Sequence, residues 1–192
     1  MKKHKQATRD KKNRANSPDS RLKKLGIALP AAPTPLGSYV ESLDTGNVLF
    51  LSGTLPVVHR KLAIAGRLGE NLMVKDGQKA ARLAALNALA IAREHLGDLD
   101  RIKKLVKLTV LVATTESFTE HAAVADGASG LFFQILGRNA GHVRLVYGVQ
   151  SLPIGSPVIV DTIFEIEPVS PPGTKQHTAP GKHQKNVASK HE

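Results

Sequence analysis

The chain has 192 residues, 41% of them hydrophobic, with no cysteine and a formal net charge of +11 at pH 7. That length suits one domain of ordinary size with extensions. The lack of cysteine excludes disulfides, cysteine-type zinc sites and thiol catalysis, and fits a reducing cytoplasm.

The charge is placed unevenly. Residues 1–24 hold ten Lys/Arg against two Asp/Glu, and residues 168–192 hold four Lys against one Glu. The stretch between them, 25–167, carries thirteen of each sign and is neutral. A basic composition for the whole chain is therefore no guide to the charge of a folded surface. Residues 1–20 are nearly free of large apolar groups, and Pro171, Pro172, Gly173, Pro180 and Gly181 punctuate the other end. The reading is three parts: a basic disordered tail over 1–24, a folded domain over 25–167, and a basic disordered tail over 168–192. The N-terminus lacks the apolar segment of a secretory signal and the amphipathic stripe of a transit peptide. No run of about 18 apolar residues exists, so no membrane span is expected.

Leu25–Pro35 is an extended, proline-punctuated lead-in. Tyr39–Leu43 and Val48–Leu55 read as strands joined by the turn Asp44-Thr45-Gly46-Asn47. Residues 57–72 are polar and contain glycine, which suggests an irregular loop. Asp76–Leu96 is the clearest helix, rich in Ala and Leu, with Ala80, Leu83, Leu86, Ala90 and Ile91 at helical spacing and Gly97 as its stop. Ile102–Val112 is a strand with Val106, Leu108, Val110 and Val112 on one face. A second helix over about 119–136 aligns Val124, Ala128, Leu131, Phe132 and Ile135, and Gly137 ends it. Val143–Val149 and Pro157–Ile166 close the series as strands.

The order strand, strand, helix, strand, helix, strand, strand predicts an α+β, two-layer sandwich of a mixed sheet with both helices on one face. In the last strand Ile159 and Ile163 stand on the face opposite Val158, Val160, Phe164 and Ile166. Both faces are thus apolar where one should be polar, so a partner subunit is expected to cover the open face.

The usual signatures of phosphate loops, zinc hydrolases, serine hydrolases and dinucleotide sites are missing. His59, His95, His121 and His142 show no metal-ligand spacing. What stands out is Arg144 in His-Val-Arg-Leu-Val-Tyr and Asp161 in Val-Ile-Val-Asp-Thr-Ile-Phe. A charge in such strands costs several kcal/mol, about 3–5 on loss of its partner, if it is buried and unpaired. Each needs a partner, and on neighbouring strands the two would be near each other. A structural ion pair, a subunit contact and a functional pair all remain open on spacing alone.

Three separated motifs carry a resemblance. Gly37-Ser38-Tyr39 is followed by Gly46-Asn47 and a strand ending in Ser52-Gly53. Asn87 lies within the first helix. The stretch from Val143-Arg144 through Leu152-Pro153 to Val158-Ile159-Val160-Asp161 closes the set. Over residues 35–167 the chain resembles the Rid (reactive intermediate imine/enamine deaminase, YjgF-type) superfamily. Asp126-Gly127-Ala128-Ser129 before His142-Val143-Arg144 looks closest to a less studied branch.

The resemblance implies a chorismate-mutase-like fold, a homotrimer with sites in clefts between subunits, and hydrolytic deamination of 2-imino or 2-enamino acids to 2-keto acids and ammonia. It implies that Arg144 clamps the substrate carboxylate, that Asp161 stands where a family glutamate orients water, and that Tyr39, Ser52 and Gly53 line the cleft. It implies no metal and no organic cofactor. The chain departs from the best-known members in having Val146 two residues after the arginine, Asp161 in place of glutamate, Thr54 after Ser-Gly, and a longer second-helix region without the family's asparagine. The assignment requires the Arg144 guanidinium to stand at a seam between chains and not to be consumed internally. Two alternatives stay in view. One is a non-catalytic binder of small carboxylated metabolites. The other is RNA binding or ribonuclease action, in which the tails make weak nonspecific contact with phosphates and the neutral domain adds little.

Overall fold

The computed structural model describes residues 17–168, and the expectations for residues 1–16 and 169–192 lie outside them. The main sheet has five strands: β1 (Ser42–Thr45), β2 (Val48–Leu51), β5 (Ile102–Ala113), β6 (Val143–Val149) and β7 (Val158–Ile166), in the order β1-β2-β7-β5-β6. Pairing is antiparallel except between β5 and β6, which are parallel because a helix crosses over between them. Helices α2 (Val74–Leu96) and α3 (His121–Leu136) cover one face. The sandwich is the α+β one expected.

The β1–β2 hairpin turns at Gly46, whose φ of +62° suits glycine, and Thr45 pairs with Val48 across it. Both strands are shorter than expected. β2 breaks at Ser52-Gly53, and pairing resumes at Thr54, which exchanges two backbone hydrogen bonds with Val160 at 2.7 and 3.0 Å. Within 57–72, where a loop was expected, Val57–Val58 (β3) and Lys61–Leu62 (β4) form a small hairpin. Helix α2 starts two residues early because the Asp76 carboxylate accepts a bond from the Met73 N–H. Ser42 and Asp44 tie β1 to the end of α2: the Asp44 carboxylate lies 2.8 Å from His95 Nε2, and Ser42 Oγ lies 3.0 Å from Nδ1.

The core is built on alanine. Ala80, Ala81, Ala84, Ala85, Ala88 and Ala92 are fully buried along α2, while Leu83 and Leu86 are only half-buried, contrary to the stripe read from the sequence. Small side chains let α2 approach both the sheet and α3. Phe132 and Phe164 meet edge-to-face beneath it at 6.1 Å. A second correction concerns β5. Lys103 and Val106 are extra residues at two bulges, so Leu105 and Leu108 point inward and Val106 is exposed on the open face.

The folded part begins earlier than expected. Pro18–Lys24 is a short helix, α1, capped by Ser17, inside the stretch assigned to the N-terminal tail. Pro18 and Leu22 are its buried residues. Leu22 is buried, the Arg21 guanidinium donates to the Ile135 carbonyl at 3.2 Å, and Asp19 pairs with Arg93 at 3.1 Å. Relative to a chain that starts at residue 17, one that starts at residue 25 should lose about 2 kcal/mol, roughly the burial of Leu22. Urea denaturation of the two truncations checks this, and any nucleic-acid test by trimming the tail should stop at residue 16.

Candidate functional site

Residues on β7 alternate strictly, so Asp161 faces away from the helices. It is paired in register with Thr109 on β5, and Thr109 with Leu145 on β6. Arg144, one residue before Leu145, is registered with Leu108, which is fully buried on the helix side. The two charged residues are thus at the same level of the sheet but on opposite faces, with β5 between their strands. They are not neighbours within one chain, as the spacing had suggested. Two strand spacings, about 10 Å, and the sheet itself separate them.

Asp161 sits among Ile159, Ile163 and Thr109. Burial raises its pKa above the ordinary 3.8, and the Lys107 charge, the Thr109 hydroxyl and the Thr162 amide only partly oppose this. A carboxyl whose pKa is raised on folding contributes most stability when protonated, and that contribution is lost as pH climbs through the raised value. The melting-temperature advantage of Asp161→Asn over the wild-type chain should therefore grow between acid and neutral pH. A flat difference across a pH series would show that the desolvation is absent.

Tyr39 and Gly53 line one pocket, Ser52 adjoins Gly53, and Asp161 is not among the residues that line it. A Cβ on Gly53 would lie 2.8 Å from Ile159 Cγ2, which places the loop after β2 against β7. Ser52 Oγ donates to the Val40 carbonyl at 2.6 Å, and the Tyr39 hydroxyl accepts from the Leu36 N–H at 3.1 Å. Tyr39 and Gly53 line a narrow pocket of about 30 Å³, room for one water, together with Glu41, Leu55 and Arg60. Burial raises the Glu41 pKa as well. Asn87, marked by the resemblance, is a structural residue here: buried in α2, it donates to the Leu55 and Val57 carbonyls at 2.8 and 2.9 Å and fixes the wall of this pocket.

Arg144 belongs to a separate cluster on the other face. Its Nη1 donates to Asp126 Oδ1 at 2.6 Å and to Ser129 Oγ at 3.1 Å. Ser129 Oγ also lies 3.1 Å from His142 Nε2, and His142 Nδ1 lies 2.5 Å from the Ala140 carbonyl. A carbonyl only accepts, so Nδ1 carries the proton. In neutral His142, Nε2 then accepts from the Ser129 hydroxyl, whose oxygen accepts from Arg144. Every group in the chain of bonds is satisfied, and the Phe133 ring packs on His142 at 5.7 Å. The guanidinium is thus half consumed: both Nη1 protons are used, while Nε and Nη2 have no protein partner among the described residues. Sequence reasoning noted Asp126 and Ser129 only as part of a motif and left His142 without a role. Their spacing explains the cluster, since positions i and i+3 on a helix share one face.

Among the described residues no group of three or more His, Asp or Glu is placed to hold a metal. No helix is long and apolar enough to cross a membrane.

The match to known proteins runs through both halves of this arrangement. Residues 19–166 match the family model described as "YjgF/chorismate_mutase-like, putative endoribonuclease". The chain belongs to the YjgF/chorismate-mutase-like family, within the Rid superfamily. It is 44% identical over 146 residues to Protein TCP17 of Trypanosoma cruzi, covering 76% of this chain and 91% of that one. Among solved YjgF-type structures, it is similar to a "putative endoribonuclease" from Shewanella oneidensis, with TM-score 0.76, 35% identity, and coverage of 79% of this chain and 100% of that one. It is also similar to the Atu1372 protein of Agrobacterium tumefaciens, with TM-score 0.72, 38% identity, and coverage of 80% and 94%.

Proposed function

We propose that this protein hydrolyses 2-imino or 2-enamino acids to 2-keto acids and ammonia in clefts between the subunits of a homotrimer. The observation that carries the reading is the held guanidinium of Arg144. Its Nη1 is fixed by Asp126 and Ser129, and its Nε and Nη2 edge is left for a ligand. A fork of two parallel N–H donors fits a carboxylate and, fixed beforehand, loses little entropy on binding it.

The seam follows from topology. Arg144 and Asp161 lie on opposite faces of one sheet, so a cleft that contains both must take them from two chains. The open face invites this. Leu43, Phe50, Val106, Val143, Leu145 and Tyr147 are all exposed there, and apolar side chains grouped on one face favour a partner. Against a neighbour's Arg144, the Asp161 of one chain is positioned to orient water. Water adds to C2 of the iminium as a carboxylate takes its proton. That carboxyl returns the proton to the nitrogen of the resulting carbinolamine; the C–N bond then breaks and ammonia departs as the C2 hydroxyl gives its proton to the carboxylate and its oxygen becomes the ketone. Positioning and charge supply the catalysis, since the free imine hydrolyses in water already. A cytoplasmic location, the one the lack of cysteine fits, suits the reaction.

The test is keto-acid release from a freshly generated imine. Wild-type protein is expected to accelerate it with the trimer intact by light scattering, and a rate no faster than buffer would sink the proposal. A second reading, a binder of small carboxylated metabolites without turnover, is favoured by one observation, the short Asp161 side chain set in an apolar strand. It predicts Arg144-dependent binding of keto acids without imine hydrolysis. Ribonuclease action draws support from the family's description. The neutral domain, with thirteen charges of each sign over 25–167, gives RNA little to hold.

A further inference from the structure

Asp126 stands where it must influence whatever Arg144 binds. Its carboxylate is 2.6 Å from Nη1, its side chain is largely exposed, and it is held by the same helical turn that carries Ser129. The pair is close to neutral as a unit. A simple carboxylate that approaches it gains the Nε and Nη2 donors but meets the negative charge of Asp126 a few ångströms away. A ligand with a protonated nitrogen one carbon from its carboxylate meets a donor edge for the anion and an acceptor for the cation.

We infer that Asp126 is a specificity-determining residue that makes this site select a carboxylate flanked by a protonated nitrogen over a simple carboxylate. The inference rests on the proposed role of Arg144 and deepens it. It gives the site a direction. The iminium acid carries the cation that Asp126 accepts, and the 2-keto acid formed by hydrolysis does not. Loss of ammonia therefore leaves the Asp126 carboxylate facing a product of like charge, which weakens product binding when the reaction is complete. An uncharged residue at position 126 would leave Arg144 free to hold substrate and product alike. Ser129 and His142 enter as positioning residues. Because the hydroxyl of Ser129 is spent on His142, it offers Arg144 only an oxygen, which keeps Nη1 turned toward Asp126.

Alanine and pyruvate test this, being of similar size and differing at C2 in an ammonium against a ketone. Titration of the full-length oligomer, followed by NMR or calorimetry, is expected to show wild type binding alanine at least tenfold tighter than pyruvate. Asp126→Asn keeps the shape of an exposed side chain, and its fold is checked by circular dichroism and melting. It should bind pyruvate about tenfold tighter than wild type does and alanine more weakly, so that the preference collapses. Arg144→Ala should bind neither. If Asp126→Asn leaves the alanine-to-pyruvate ratio unchanged while Arg144→Ala still abolishes binding, the role given to Asp126 is wrong and the carboxylate clamp stands. If neither ligand binds wild type or Asp126→Asn, or if binding survives Arg144→Ala, the clamp itself is wrong and Asp126 falls with it.

Discussion

Arg144→Ala and Asp161→Asn should each lower imine hydrolysis by about 10²–10³, the loss typical of removing one charge-stabilising group. Co-refolding the two inactive proteins in equal amounts should restore about a quarter of wild-type activity. The fraction follows from symmetry. If a cleft takes its arginine from one chain and its carboxylate from the next, an intact cleft needs an Asp161→Asn chain on the arginine side and an Arg144→Ala chain on the other. Random assembly meets each condition half the time. If both residues acted within one chain, no intact site would form in any mixture, and the co-refolded sample would be as inactive as its parents. The geometry favours the first outcome, because register places the two side chains on opposite faces of the sheet. The experiment thus separates a seam between chains from a site within one, whatever the substrate. Asp161→Asn has the smaller structural cost, since it relieves a desolvated carboxylate.

Much of the fold was legible because its signals were local. The period of α3 named Val124, Ala128, Leu131, Phe132 and Ile135, and all five are fully buried. The alternation in β7 likewise separated the residues under the helices from those on the open face. What the sequence hid was set by partners distant along the chain. The bulges that turn Val106 outward arise from how β5 pairs with β7, and no local pattern in Ile102–Val112 announces them. The α1 helix was invisible because one leucine among seven residues makes no stripe, and only docking on α3 gives it a reason to form. The candidate site shows the same division. Arg144 and Asp161 stood out as charges in apolar strands, but strand order decides whether they meet, and β5 inserts itself between β6 and β7. Asp126 and Ser129 look like ordinary polar positions on an amphipathic helix until β6 brings Arg144 beneath them.

Gly127→Ala should destabilise the protein by about 3 kcal/mol, although an alanine in a helix is ordinarily worth about 1 kcal/mol more than a glycine. The reason is the packing of α2 on α3. A Cβ at Gly127 would lie 2.1 Å from the Gln78 carbonyl oxygen and 2.8 Å from that residue's C and Cα. These are backbone atoms of a helix and cannot rotate aside. The Gln78 side chain pins the same crossing by donating to the Ala123 carbonyl at 2.9 Å. To admit one methyl group, the two helices must part along the stretch where Gly77 and Ala81 are fully buried or nearly so. Gly130 is the control: it lies one turn further along α3, and nothing lies within 4 Å of its Cβ position. Gly130→Ala should therefore gain up to about 1 kcal/mol from helix propensity alone. Urea denaturation of the two variants should give midpoint shifts of opposite sign, and equal shifts would overturn the close-approach argument. The effect reaches the site as well. Asp126 adjoins Gly127, and Ser129 follows it on the same turn, so parting the helices shifts both relative to Arg144. Gly127→Ala should weaken ligand binding at temperatures where the chain is still folded, while Gly130→Ala leaves it unchanged. Steric demand at one backbone position thereby connects the packing of the helix layer to the orientation of the guanidinium.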